Sequence, residues 1–174
     1  MKKYLFLIYF ICAFYTPALS QIQIAILEPI AMSNDVKVIE QAIVRGELTK
    51  AICREEYYSA FSRIDFDYIV KEQNFQQSGV VDAETRKRLG AMHGVDYLCV
   101  VKISKRGSLY YIEANFVDVE TGEILGPATI YGELQANNYE PLQEKCTQLA
   151  NDLLNSNVSY NSKIYKVRQM QTNK

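Results

Sequence analysis

The sequence predicts an α/β fold, sandwich-like, with helices packed over a mixed, mostly antiparallel sheet. Three observations carry this. IQIAIL at 22–27 alternates and is rich in β-branched residues. Longer stretches place apolar residues at helical spacing. The second half of the chain holds three successive strand-like runs before a last amphipathic segment. The resulting order is β-α-β-α-α-β-β-β-α, one helical layer against one sheet.

The first strand, 22–27, ends at Pro29. SNDVKVIEQAIVRGELTKAICREE then offers Ser33, Asn34 and Asp35 as helix caps, with Ile39, Ile43, Leu48 and Ile52 as the buried stripe. Gly46 costs this helix about 1 kcal/mol against alanine. A close helix–sheet contact would account for it, and the helix is expected to bend or restart at Arg45 and Gly46. YYSAFS at 57–62 is the second strand. Asp65 caps a short helix with Phe66, Ile69 and Val70 on one face. Gly79 supplies its left-handed stop, and Asp82 caps the next helix, which runs through Leu89 and Met92 to a stop at Gly94.

DYLCVVKIS is nearly continuous in apolar residues from Tyr97 to Val101, the signature of a central strand covered on both faces. SLYYIEANFVDV pairs through ETGE with ILGPATIYGEL. Gly122 supplies the positive φ of a three-residue hairpin connection. A final helix over 139–154 carries Leu142, Cys146, Leu149 and Leu153 at helical spacing.

Three regions follow. Residues 1–20 read as a signal peptide: Lys2 and Lys3, then the uncharged run YLFLIYFICAFY, then Ala18 and Ser20 at the positions a signal peptidase reads. The apolar run is shorter than the roughly 20 residues of a membrane span. Residues 21–155 form one domain, and 156–174 a polar, basic tail expected to be frayed. Cys12 lies within the apolar run rather than at the cleavage site, so lipidation is not expected. The location predicted is the bacterial periplasm, with association with the outer membrane as the alternative.

The 174-residue chain has a formal charge of −1, which becomes −3 without Lys2 and Lys3. Residues 21–155 hold 13 basic and 20 acidic side chains, the reverse of a nucleic-acid binder. Cys53, Cys99 and Cys146 each sit in an apolar setting and form no CxxC or Cys/His ligand spacing. Buried free thiols are expected, with one disulfide plus a free thiol as the alternative.

Catalytic groupings are sparse. The only histidine, His93, stands at a predicted helix end. No Gly-x-Ser-x-Gly, P-loop or Rossmann glycine run is present. Asp65 and Asp67, two apart on a helix, point about 200° from one another. The expectation is therefore a protein without catalytic, metal or cofactor residues. A hydrolase with an unrecognised site would instead show a deep pocket gathering several ionisable groups.

Two features suit partner recognition. KEQNFQQSGVVD at 71–82 concentrates amides, whose simplest work is to satisfy backbone groups at two helix ends. The chain also has 13 tyrosines, several clustered on predicted strands, where they line a sheet face or anchor an interface. Gln76, Gln77, Tyr110 and Tyr131 are the candidate contact residues.

The order of motifs over 62–104 resembles the bacterial family containing the curli-secretion protein CsgG and the penicillin-binding-protein activator LpoB. Arg63 stands at a strand end, Glu72-Gln73 in the last turn of a helix, and Gln77-Ser78-Gly79 after it. Leu89-Gly90 and Gly94-Val95-Asp96-Tyr97 then lead into the central strand, and VDVETGEILG looks like the family's hairpin. The resemblance spans about 22–134. It implies an exported envelope protein that has no activity of its own and binds another protein, a penicillin-binding protein (a peptidoglycan synthase) in the LpoB branch. The CsgG branch implies the alternative of a homo-oligomeric outer-membrane secretion channel. This chain departs from both in lacking the lipid-attachment cysteine and a long linker after the signal.

Overall fold

In a computed structural model that describes residues 21–62, 94–134, 138–156 and 162–173, a single strand organises the sheet. This is β4, Tyr97–Arg106, buried without interruption from Tyr97 to Val101. β1 (Ile22–Ile26) runs parallel to it on one side, followed further along by the two-residue β2 (Ile30–Ala31). On the other side it is antiparallel to β5 (Leu109–Asp118), which pairs in turn with β6 (Ile124–Glu133). β3 (Tyr58–Ser62) lies parallel to the outer side of β1, giving the order β3-β1-β4-β5-β6 with β2 beside β4.

Each strand's alternation divides its side chains between two cores. Ile22, Ile24 and Ile26 of β1 join Tyr97, Cys99, Val101, Tyr110, Ile112 and Phe116 on the first face. Over this face lie the buried residues of α1 (Val38–Ile52), α2 (Glu140–Asn155) and α3 (Lys163–Thr172). The second face is smaller: Ala25, Leu27, Leu98, Val100, Val117 and their neighbours. β1, α1 and β3 form a crossover unit, which parallel neighbours require.

The predicted mixed sheet and helical layer are observed, with differences in detail. α1 begins at Val38, and neither Ser33, Asn34 nor Asp35 caps it. Its first turn is closed by Glu40, whose Oε2 accepts the Lys37 N–H at 2.9 Å. Ser33 is used elsewhere: its Oγ accepts the Lys105 N–H at 2.8 Å and donates to the Lys105 carbonyl at 2.9 Å, prolonging the β2–β4 contact. The buried stripe of α1 is Glu40, Val44, Leu48, Ala51 and Ile52, while Ile39 is half exposed. Glu40 is buried because it pairs with Lys105. α1 runs through Gly46 without restarting, and among the described residues no atom beyond the helix's own nearby backbone lies within 4 Å of where a Cβ there would stand. The close helix–sheet contact expected at Gly46 is therefore not found among them.

The β5–β6 connection has five residues, 119–123, rather than three. The Asp118 carboxylate accepts the Glu120 and Thr121 N–H groups at 2.9 and 2.8 Å, and Gly122 adopts φ 78°. The predicted elements at 63–93, with Asp65, Gly79, Asp82 and His93, lie outside the described residues.

The polar tail contains a helix. α3 is capped by Ser162, whose Oγ accepts the Tyr165 N–H at 3.0 Å, and Ile164 is 1% exposed against the main core. Lys163 donates its backbone N–H to the Tyr97 hydroxyl at 3.0 Å and its side chain to Asp96. Arg168 donates to the Leu154 carbonyl at 3.0 Å and lies 5.8 Å from the Tyr58 ring centroid. Charge composition alone concealed the Ile164/Val167 spacing that docks this helix.

The three cysteines carry free thiols, so no disulfide forms. Cys99 and Cys146 are buried, and burial pushes both thiols up to about 12. Cys53 corrects the expectation of burial: it is exposed at the C-terminal end of α1.

Tyr110 lies on the first face, its hydroxyl buried without a hydrogen-bond partner among the described residues. Burial raises its pKa, with smaller contributions from Cys146 and Glu144. Its ring crosses the ladder to lie over its partner Gly132, where a Cβ would stand 2.7 Å from the hydroxyl oxygen.

Three outcomes test this packing. Ile164→Ala should lower unfolding free energy by about 2–4 kcal/mol in a denaturant titration. Gly132→Ala should cost about 1–3 kcal/mol by overpacking. Tyr110→Phe should be neutral or stabilise by up to about 1 kcal/mol, since the lost hydroxyl has no partner, and it should recover part of the Gly132→Ala loss in the double variant. The Lys163 pKa is raised, chiefly by its hydrogen bond to Asp96. A raised lysine pKa contributes stability that is complete below the unfolded value of about 10.4 and fades as pH rises through the native value. The stability gap between the wild type and Asp96→Asn should therefore narrow as pH rises past the unfolded lysine value of about 10.4. It should be small throughout, because the Lys163 side chain is 60% exposed.

Candidate functional site

Over residues 109–113 and 129–133 the β5–β6 hairpin turns one face to the main core and the other to solvent, while Val117 nearer the turn joins the second core. On β5, Tyr110, Ile112, Ala114 and Phe116 point inward. Leu109, Tyr111, Glu113 and Asn115 therefore occupy the opposite face. The register then decides what stands beside them: Tyr111 is directly opposite Tyr131, Leu109 opposite Glu133, and Glu113 opposite Thr129. Tyr131 is 78% exposed, Leu109 56% and Tyr111 43%. Arg106 of β4 pairs with Leu109. Met32, half exposed, is held on the far side of β4 by its N–H to the Ile103 carbonyl at 2.8 Å.

Two tyrosines and a leucine thus form the centre of an exposed patch, rimmed by Arg106, Glu113, Thr129 and Glu133. An aromatic centre with a polar rim is the anatomy of a protein-recognition surface. The rings stand on a backbone whose opposite face is locked into the core by Ile112, Ala128 and Ile130, so little backbone freedom is lost when a partner covers them.

Of the four residues predicted to contact a partner, Tyr131 lies on this surface. Tyr110 does not, because it faces the core. Its neighbour Tyr111 takes that place. The signal was present in the period of two through Ile112, Ala114 and Phe116, which sets Tyr110 among apolar residues. Gln76 and Gln77 lie outside the described residues.

Other polar groupings serve the fold. Glu40 and Lys105 form a largely buried pair. Arg45 pairs with Glu28. A hollow of about 330 Å³ between the end of α2 and α3 is lined by Asn155, Arg168, Gln169, Gln171 and Thr172. The Arg168 guanidinium there already binds the Leu154 carbonyl, Glu55 and Gln171. Among the described residues no three His, Cys, Asp or Glu side chains gather as a metal site. No described helix is long and apolar enough to cross a membrane.

No family model matches the chain, and no curated protein matches it in sequence. Among solved structures it is similar to the hypothetical protein CT253 of Chlamydia trachomatis, with a TM-score of 0.55 and 10% identity over 78% of this chain and 94% of that one. It is also similar to lipoprotein GNA1162 of Neisseria meningitidis, with a TM-score of 0.48 and 19% identity over 78% and 98% of the two chains. The C-terminal domain of LpoB from Escherichia coli gives a TM-score of 0.49 and 12% identity over 68% and 87%. The likeness to CT253 shows a fold in common, and at that identity it shows the fold alone.

Proposed function

We propose that this chain is a non-catalytic accessory protein of the bacterial cell envelope that acts by binding another protein. The carrying observation is the exposed Tyr111–Tyr131 pair on a hairpin whose inner face is fixed in the core. Residues 1–20, with their signal-peptide pattern, supply the route to the periplasm. The ordered motifs from Arg63 to Tyr97, which resemble those of the CsgG and LpoB family, supply the class of partner: a penicillin-binding protein. The net negative charge of 21–155 agrees with a protein partner rather than a nucleic acid.

The test is in-cell crosslinking followed by mass spectrometry of what a tagged chain retains. The wild type should recover a peptidoglycan synthase. Tyr111→Ala/Tyr131→Ala should reduce that recovery by about tenfold or more, as removal of central aromatic anchors does, with its unfolding midpoint unchanged. A wild type that recovers no synthase, secretion or cell-wall component would sink the proposal. Recovery of an outer-membrane secretion component instead would move the reading to a CsgG-like channel subunit.

A further inference from the structure

The sheet is defended at one edge and only half defended at the other. At β3, five residues long, the Cys53 Sγ accepts the Ala60 N–H at 3.2 Å and donates to the Ala60 carbonyl at 3.1 Å. The backbone groups in the middle of that edge are thereby occupied. β6 has ten residues and, among the described residues, pairs with β5 alone. The register shifts by one between Ala114/Ala128 and Phe116/Leu125, which sets Gly126 and Pro127 against Asn115. A bulge with a proline, which has no N–H, is a common guard on an edge strand.

Past Pro127 that guard stops. Leu134 donates its N–H to the Ser108 carbonyl at 2.7 Å, making 108/134 a hydrogen-bonded pair of the antiparallel ladder. By alternation, 110/132 and 112/130 are bonded as well. The N–H and C=O groups of Thr129, Tyr131 and Glu133 therefore point away from β5, and the side chains of all three are exposed.

We propose that β6 at residues 129–133 takes up an extended segment of a partner protein as an additional strand. This names a mode of binding for the function proposed above and rests on that reading. A foreign strand fits better than a second copy of this chain. α2 packs on β6 far more than on β5, so pairing β6 with its own copy would drive two α2 helices together. Neighbouring strands lie about 4.8 Å apart, whereas packed helices need about 8–10 Å. A lone strand brings no helix.

The surface also selects the strand's chemistry. A residue beside Tyr131 on the open face meets the Tyr111–Tyr131 pair. Glu113 and Glu133 flank that pair, and neither forms an ion pair among the described residues. β6 has no basic residue. Charge complementarity favours a segment with an aromatic or apolar residue at its centre and a lysine or arginine two positions to each side.

The probe is the acetylated, amidated peptide TKVYVKT, titrated into the full chain while backbone amide resonances are followed. The amides of Thr129, Tyr131 and Glu133 should shift together. In the antiparallel register that sets the peptide's tyrosine opposite Tyr131, N-methylation of that tyrosine and both lysines removes the donors facing β6 and should weaken binding about a hundredfold. Tyr131→Lys and Glu133→Lys, each folded by its unfolding midpoint, should weaken it about fivefold or more. Equal binding of the methylated peptide, or no shift at those amides at the highest soluble peptide concentration, overturns the inference. So does concentration-dependent dimerisation that protects the same three amides. If the wild type retains its cellular partner and Tyr131→Lys retains it equally, the edge and the Tyr131 anchor are both wrong, and only the envelope accessory role stands. If the peptide binds as described but no envelope partner is recovered, the function falls and the edge stands.

Discussion

A strand buried on both faces and paired on both edges leaves its neighbours little freedom, and β4 is that strand here. From Tyr97 to Val101 every side chain is buried, alternately into one core or the other. Its backbone must meet β1 and β2 on one side and β5 on the other, since unpaired polar groups at that depth would cost about 1–3 kcal/mol each. The position of β1 then fixes where α1 crosses to β3. The register of β5 fixes which tyrosines of the hairpin see solvent.

The ends of β4 are held by different chemistry. Near its start, Asp96 accepts the Gln23 N–H at 2.9 Å and pairs with Lys163, while the Tyr97 hydroxyl accepts the Lys163 N–H. One corner of the sheet thus anchors both β1 and α3. Desolvation pushes the Tyr97 pKa up to about 12, although the Lys163 N–H opposes the rise. Near its far end, Lys105 holds Glu40 with its side chain and Ser33 with its backbone. That junction ties the start of α1 to the sheet, and removing one partner would leave the other charge buried and uncompensated. The aromatic surface lies at this second, braced end, where Leu109 and Arg106 pair.

Much of the fold was legible in the sequence, because hydrophobic period is a local property. IQIAIL, DYLCVVKIS and the apolar spacing of α2 each state their secondary structure and the side that is buried. The misreadings fell where a distant residue decides. Glu40 enters the stripe of α1 because Lys105, 65 residues away, neutralises it. Ser33 is diverted from helix capping by Lys105 as well. Residues 163–172 look like a solvated tail until Tyr97 and Tyr58 supply contacts for Lys163 and Arg168. The exposure of the candidate contact residues was half legible: Tyr131 is exposed as a contact residue must be, whereas Tyr110 is turned inward, as the alternation through Phe116 already indicated.

By itself, the sequence determined the class of the fold, the central strand, the hairpin at Gly122 and the net negative charge of 21–155. Each follows from periodicity, turn chemistry or composition, which need no distant partner. The tertiary structure alone decided that Tyr111 and Tyr131 stand side by side, that Cys53 guards one sheet edge, and that, among the described residues, nothing pairs with the outer side of β6 beyond Pro127. Those depend on register and strand order. A one-residue change of register would exchange the buried and exposed sets of the hairpin, and no local stretch of sequence specifies which strand ends a sheet.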